Sequence, residues 1–413
     1  MNAAANDTLD AELSGPTSEW PAAAEGAVED REARLIFALA GGAELDTLVP
    51  QLDACDWARL LHIAILENAV IALGRLVRRG GPHRVPAAVE RQIAYIALQA
   101  QFRMRRLEKR LEEAVLALEA AGIQVALLKG AALAHSLYGS FTARPMNDVD
   151  LLVDADRARE AREIMFANGW MADPTLPGDD LYVGHHHLPP LVDVAGSGLR
   201  LELHRALLPR DNPFDFSLDD LLRRTRVVTV GRATARALSL TEHAVYCTVH
   251  FAWSHELRLG AWHAFRDLGT MLQRGALDWT LFVDTANAWR ARTCSYWTLR
   301  LARALSGLQV PDDVLRKLEP RLPEAILQRL ERHFTQGVLR NPEACPSVRL
   351  ERELWNVAMQ PRRNGHGDLR PWTASPDLMR ERRLLDLSPP RTGPRERVGH
   401  MLRWSRYLAG MLS

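Results

Sequence analysis

Cysteine is scarce in this chain: four residues among 413, at Cys55, Cys247, Cys294 and Cys345, with no C-x-x-C pair. That spacing argues against a zinc knuckle and offers no disulfide framework. Lysine is rarer still, with Lys109, Lys129 and Lys317 set against 49 arginines, a bias that carries no functional information by itself. No basic stretch followed by an apolar one opens the chain, and no apolar run reaches the ~20 residues that a membrane helix needs. A cytoplasmic protein with no membrane partner is therefore expected. Residues 1–30 lack Lys and Arg entirely but hold seven acids and few large apolar groups, so a disordered acidic tail is expected there. Residues 370–413 reverse the sign, with nine Arg against four acids. The net charge of +1 over the whole chain disfavours nucleic acid as a partner, and the basic C-terminal stretch is its one support.

What is present is an ordinary globular composition, 47% hydrophobic and 25% charged. The length is too great for one core and predicts two or three domains. Over 31–122 apolar residues recur at helical steps, as in Leu60, Ile63, Leu66 and Val70. Arg103 to Ala121 reads as a long charged amphipathic helix that Gly122 ends. The texture changes over 123–238. Val125 to Leu128 reads as a strand, Ala131 to Tyr138 as a helix closed by Gly139, and Asp148 to Val153 as a second strand. A helix from Ala155 to Ala167, stopped by Asn168-Gly169, precedes strands at Tyr182–Leu188 and Leu199–His204 and a hairpin from Val227 to Leu238. The capping box Ser239-Leu240-Thr241-Glu242 then starts helical structure that runs to about Ala358. An Arg- and Pro-rich loop over 360–395 and a short helix near 396–412 complete the region 239–413. The expected class is α+β: a small mixed sheet at 123–238 between a helical domain at 31–122 and a helical region at 239–413.

The chemistry concentrates in Asn147-Asp148-Val149-Asp150-Leu151-Leu152-Val153. Strand periodicity puts both carboxylates on one face, roughly 6–7 Å apart along the backbone. Two acids so placed reach around one or two divalent cations, an arrangement suited to phosphoryl and nucleotidyl transfer. D-x-D alone is common, and a polar strand opening would also explain it. Leu199 to His204 alternates strictly, with the leucines on a core face and Arg200, Glu202 and His204 on the other. If this strand pairs beside the first, Glu202 completes a carboxylate triad, as a metal ligand or as the acceptor of a proton. Upstream, the turn at Lys129-Gly130 leads from strand to helix. Its backbone N–H groups could cradle a phosphate, Gly130 would allow close approach and Lys129 would add charge. Arg144 offers a planar fork to a triphosphate. The combination is far more specific than any piece.

The order LLKG–helix–Tyr-Gly, then R-x-x-N-D-V-D-L-L-V, then a helix ending in N-G-W, then L-E-L-H resembles the uncharacterised nucleotidyltransferase family of the polymerase-β-like superfamily. The resemblance covers Val125 to Leu207 closely and extends loosely into the helices on both sides, including Leu240 to Leu272. It implies metal ligands at Asp148, Asp150 and Glu202, and nucleotide phosphates at Lys129, Gly130 and Arg144. It also implies Mg²⁺ or Mn²⁺, and transfer of a nucleoside monophosphate from an NTP, with ATP the first choice, to a hydroxyl or phosphate of an unidentified acceptor. Two departures matter. Lys129-Gly130-Ala131 stands where the superfamily commonly has Gly-Ser, so no serine hydroxyl is available to the phosphates. The third acid is Glu rather than Asp.

His185-His186-His187, with His204 nearby in sequence, raises zinc, but neighbours on a strand point to opposite faces and at most His185 and His187 would converge. Trp262, Phe265, Leu268 and Leu272 form a core stripe at helical spacing, whereas His250, Arg258 and Asp267 are candidates to face an acceptor. Cys247 and Cys294 read as small buried apolar residues. Two further readings stay open. One is a non-catalytic nucleotide-binding or partner-regulating protein, for which the missing serine speaks. The other is a toxin- or antitoxin-type nucleotidyltransferase acting on RNA, for which the Arg-rich C-terminal stretch speaks.

Overall fold

The computed structural model describes residues 31–339 except 177–181, 184, 197, 210–211 and 217, together with 348–359 and the single positions 398, 402 and 405. The stretches 1–30 and 360–395 and most of 396–412 lie outside the described residues. Four main helices come first: α1 (Arg31–Gly41), α2 (Trp57–Leu66), α3 (Val70–Gly80) and α4 (Ala87–Ala120). Asp56 starts α2 by accepting the Arg59 backbone N–H. The central segment holds β1 (Ala126–Leu127), α5 (Lys129–Leu133), β2 (Asp148–Leu152), α6 (Ala158–Ala167), β3 (Trp170–Ala172), β4 (Leu191–Asp193) and β5 (Arg200–His204). It continues through α7 (Leu218–Arg224), β6 (Arg226–Val230) and β7 (Ala233–Ala237). After it come α8 (Leu240–Val249), α9 (Ala261–Gln273), α10 (Trp279–Ala288), α11 (Arg292–Ser306), α12 (Asp312–Leu318), α13 (Glu324–Val338) and α14 (Val348–Met359). No helix among the described residues is long and apolar enough to cross a membrane.

The seven strands form one mixed sheet in the order β3-β4-β5-β2-β1-β7-β6. β2 pairs in parallel with β5 and β1 with β7; the other neighbours are antiparallel. The α+β class and the mixed sheet are as the sequence predicts. The capping box at the start of α8 also forms, with the Ser239 hydroxyl accepting the Glu242 N–H.

Two hydrophobic cores hold the molecule, and α4 belongs to both. Val89, Ile93 and Ala97 in its first half pack into a core built from α1–α3 and α8–α14. Met104, Leu107, Leu111, Ala114, Val115 and Leu118 in its second half cover one face of the sheet with Val149, Leu151, Leu201 and Leu203. The helices before and after the sheet therefore share one interior; the Phe37 ring of α1 meets the Phe265 ring of α9 edge-on at 5.7 Å. Alternation along β2 sends Val149 and Leu151 to the α4 side and Asp148, Asp150 and Leu152 to the other, where Leu152 joins the larger core.

One expected strand is absent. The described residues of Tyr182–Leu188 form no strand, and their backbone joins the sheet through an isolated bridge between His187 and His204. Pro189-Pro190 follows it, and two successive residues without an N–H cannot continue a ladder. The antiparallel neighbour of β5 comes later, from β4, whose partner β3 forms the edge.

Candidate active site

The parallel register of β2 and β5 sets Asp148 opposite Arg200, Asp150 opposite Glu202 and Leu152 opposite His204. Adjacent strands lie ~4.8 Å apart, so Asp150 and Glu202 are side-by-side carboxylates on one face. The expected pairing is thus formed, and it brings Asp148, Asp150 and Glu202 together. Asp150 is 2% exposed. Its Oδ1 accepts from Lys129 Nζ at 2.8 Å and from His204 Nε2 at 2.8 Å. The same His204 nitrogen lies 3.3 Å from Glu202 Oε2.

Lys129 reaches Asp150 because its backbone takes φ 43°, the left-handed region that a β-carbon normally disfavours. The turn is fastened by the Leu128 N–H, which donates to the Asp150 carbonyl at 3.1 Å. Held strain of this kind concentrates at functional sites. α5, which begins at Lys129, and α8 are each followed by a π-helical turn, at Ala134–Tyr138 and at His250–Ser254.

The charges in this cluster set one another. Burial would raise the Asp150 carboxyl, but the Lys129 ammonium and the His204 ring outweigh it and hold Asp150 well below the usual range. Burial works against the charged forms of Lys129 and His204 too, and their carboxylate partners raise both. Glu202 also ends below its usual value, because the His204 hydrogen bond overcomes burial. Asp148 is the exception: burial and then the Asp150 charge push it up to about 6.

The other predicted residues have different surroundings. Arg144 is buried, its Nε and Nη2 bound to Asp267 at 2.9 and 2.8 Å. A β-carbon on Gly130 would lie 2.5 Å from Arg144 Nη1 and 3.2 Å from Met146 Sδ. The glycine is thus required by the close approach of Arg144, a constraint present without any phosphate. Asp267 also accepts from the Tyr138 hydroxyl at 2.9 Å; it anchors Arg144 and does not face an acceptor. Arg258 is likewise accounted for, by an ion pair with Glu351 at 3.2 Å. His250 lies close enough to the centre to feel Lys129, Asp150 and His204.

Several residues near the centre carry no sequence motif. Arg103 of α4 donates to the Met146 carbonyl at 2.9 Å and to Asn147 Oδ1 at 2.8 Å, bracing the chain that enters β2. Tyr246 and His243 of α8 are fully buried beside Lys129, and the Tyr246 hydroxyl has no hydrogen-bond partner among the described residues. Their one legible signal is the polar content of an otherwise apolar helix. The histidine run departs from its expected arrangement: off the strand, all three rings converge, with centroids 4.2 to 4.7 Å apart.

The carboxylates fit a divalent cation. Asp150, Glu202 and His204 each offer a ligand atom within 4.8 Å of the others. The Asp148 side chain has no hydrogen bond or ion pair among the described residues, and Lys129 and His204 offset only part of its burial and of the neighbouring negative charge. Oxygen donors of this kind suit Mg²⁺ or Mn²⁺.

No curated protein and no solved structure matches the chain. A family model, described as uncharacterised nucleotidyltransferase, matches residues 53–307, more than half of the sequence. The match runs from the segment before α2 to the end of α11 and includes Lys129, the β2–β5 carboxylates and the π turn after α8. The chain therefore belongs to the uncharacterised nucleotidyltransferase family.

Proposed function

We propose that the protein moves a nucleoside monophosphate from an NTP, ATP by preference, to a hydroxyl or phosphate of an acceptor. Asp148, Asp150 and Glu202 would hold the divalent cation. The observation that carries this reading is the register of β2 with β5, which sets Asp150 opposite Glu202 with Asp148 two residues away on the same face. A cation bound there supplies charge neutralisation at the α-phosphate and the departing pyrophosphate. Lys129, already against Asp150 at 2.8 Å, carries the positive charge that holds the nucleotide phosphates. His204 keeps Glu202 ionised, so this carboxylate is ready to take the proton of an acceptor hydroxyl. Arg144, committed to Asp267, acts through Gly130 by fixing the turn that aims Lys129. The flanking helices, α8 foremost, shape the acceptor pocket.

The test is incubation of the full chain with each NTP, labelled at the α- or the γ-phosphate, with Mg²⁺ or Mn²⁺ in fractionated host lysate. The reading predicts that α-label moves to an acceptor while γ-label leaves as pyrophosphate. Transfer of γ-label to the acceptor would replace it with phosphoryl transfer, and no transfer of either label under any condition would count for a non-catalytic nucleotide binder.

A further inference from the structure

The three convergent histidines form a cluster with an unusual set of unused nitrogens. His187 Nδ1–H donates to the Leu188 carbonyl at 2.7 Å, which leaves the Nε2 lone pair free. That lone pair lies 3.8 Å from Glu202 Oε2. Two acceptors therefore face each other with no proton between them. His185 Nδ1 and His186 Nδ1 are buried and have no hydrogen-bond partner among the described residues. A ligand nitrogen from each of the three rings lies within 4.8 Å of the others.

The segment is also held in place. Arg205 donates from Nε to the His185 carbonyl at 2.8 Å and from Nη2 to the Tyr182 carbonyl at 2.8 Å. The Arg205 and Ala206 N–H groups both donate to the His186 carbonyl, at 2.8 and 3.2 Å. Backbone pinning, a ring fixed by a carbonyl through one nitrogen, and one nitrogen from each ring gathered within 4.8 Å are the features of a preorganised imidazole site. Simple ring stacking would explain the contacts but not the buried nitrogens left without partners.

We propose that His185, His186 and His187 bind a nitrogen-preferring divalent cation of the zinc class, with Glu202 at the border of the site. This cation is additional to the one assigned to Asp148, Asp150 and Glu202, and the proposal does not depend on nucleotidyl transfer. Three imidazoles select Zn²⁺, Co²⁺ or Ni²⁺ over Mg²⁺, whereas the carboxylates opposite favour the harder ion. The two sites meet at Glu202, 3.8 Å from His187 Nε2, and differ in ligand chemistry.

Co²⁺ is the probe, because its visible d–d absorption is intense when nitrogens hold it in low coordination and weak when oxygens hold it octahedrally. Titrated into the full-length Asp148→Asn/Asp150→Asn variant, Co²⁺ should give the intense band at one equivalent. Zn²⁺ should displace it and excess Mg²⁺ should not. Adding His185→Gln and His186→Gln should abolish the band. If circular dichroism shows that quadruple variant to be unfolded, His185→Gln alone must weaken Co²⁺ binding about tenfold or more. The proposal is overturned if the folded carboxylate variant gives no intense band, if the band survives in the folded histidine variants, or if Mg²⁺ displaces it. Absence of α-label transfer by the wild-type chain, with the Co²⁺ band present in the carboxylate variant, would strike the nucleotidyl-transfer reading alone.

Discussion

Asp148 pays for its position whenever no cation is bound. Its carboxyl titrates at about 6 in the fold against 3.8 for the free group, through burial and the Asp150 charge. The unfolded chain therefore releases this proton first, so stability falls as pH rises from about 4 to 6, and the deficit persists at neutral pH. In EDTA at pH 7, Asp148→Asn should stabilise the fold by on the order of 1–3 kcal/mol, read as a higher melting temperature, while abolishing label transfer. A variant that melts lower, or that still turns over, contradicts the assignment. Asp267 has the opposite character. It is the partner of a buried arginine, 2% exposed and bidentate to Arg144. Asp267→Asn leaves that guanidinium uncompensated and should cost about 3–5 kcal/mol in urea unfolding. Arg144→Lys should also destabilise, because an ammonium cannot reproduce the two-pronged contact with Asp267.

The strand–turn–helix at 126–133 joins the carboxylates to the helices around them, and Gly130 is its tightest point. Gly130→Ala would drive a methyl group to 2.5 Å from Arg144 Nη1, and the ion pair to Asp267 prevents the guanidinium from giving way. A loss of about 1–3 kcal/mol is expected, together with a raised KM for NTP as Lys129 is re-aimed; an unchanged melting curve and KM would show the turn to be tolerant. What could be read from sequence at this scale follows from periodicity. Asp148–Leu152 and Arg200–His204 alternate cleanly, so their faces were legible; that the two strands pair, and in the register that sets Asp150 opposite Glu202, was a condition that alternation alone did not supply. Val183, His185 and His187 alternate too, but Pro189-Pro190 and the turn at His186 take that segment off the sheet, and three rings meet where two were expected. The Arg144–Asp267 pair was not legible, because its members lie 123 residues apart and neither strand nor helix spacing links them.

At the scale of the whole molecule, the shared interior of the first and last helices also escapes local pattern, since each amphipathic face shows that it is buried but not against what. That interior holds neutral histidines. Burial pushes His243 down to about 3 and His333 to about 4. Above the ordinary value of 6.5 both states are neutral and nothing is gained or lost. Below it the unfolded chain binds protons that the fold refuses, so stability falls with pH down to the folded values. A fully buried histidine such as His243 should remove about 2 kcal/mol at pH 5 relative to pH 7. Urea midpoints measured across pH 7 to 4.5 should therefore drop steeply, and His243→Gln should flatten the slope by close to one proton. A parallel slope in that variant would mean His243 charges freely in the fold.

The central claim, that carboxylates from two parallel strands act as one site, is tested most directly at Glu202, the acid contributed by the second strand. The measurement is kcat for α-label transfer by Glu202→Gln, with folding verified by its urea midpoint. The substitution keeps the shape and removes the charge, and kcat is expected to fall by about 10²-fold or more, with the midpoint nearly unchanged. Loss of a ligand would be partly recovered by raising Mg²⁺; loss of a proton acceptor would be partly recovered by raising pH. A folded Glu202→Gln protein with near-normal kcat would contradict the three-carboxylate site.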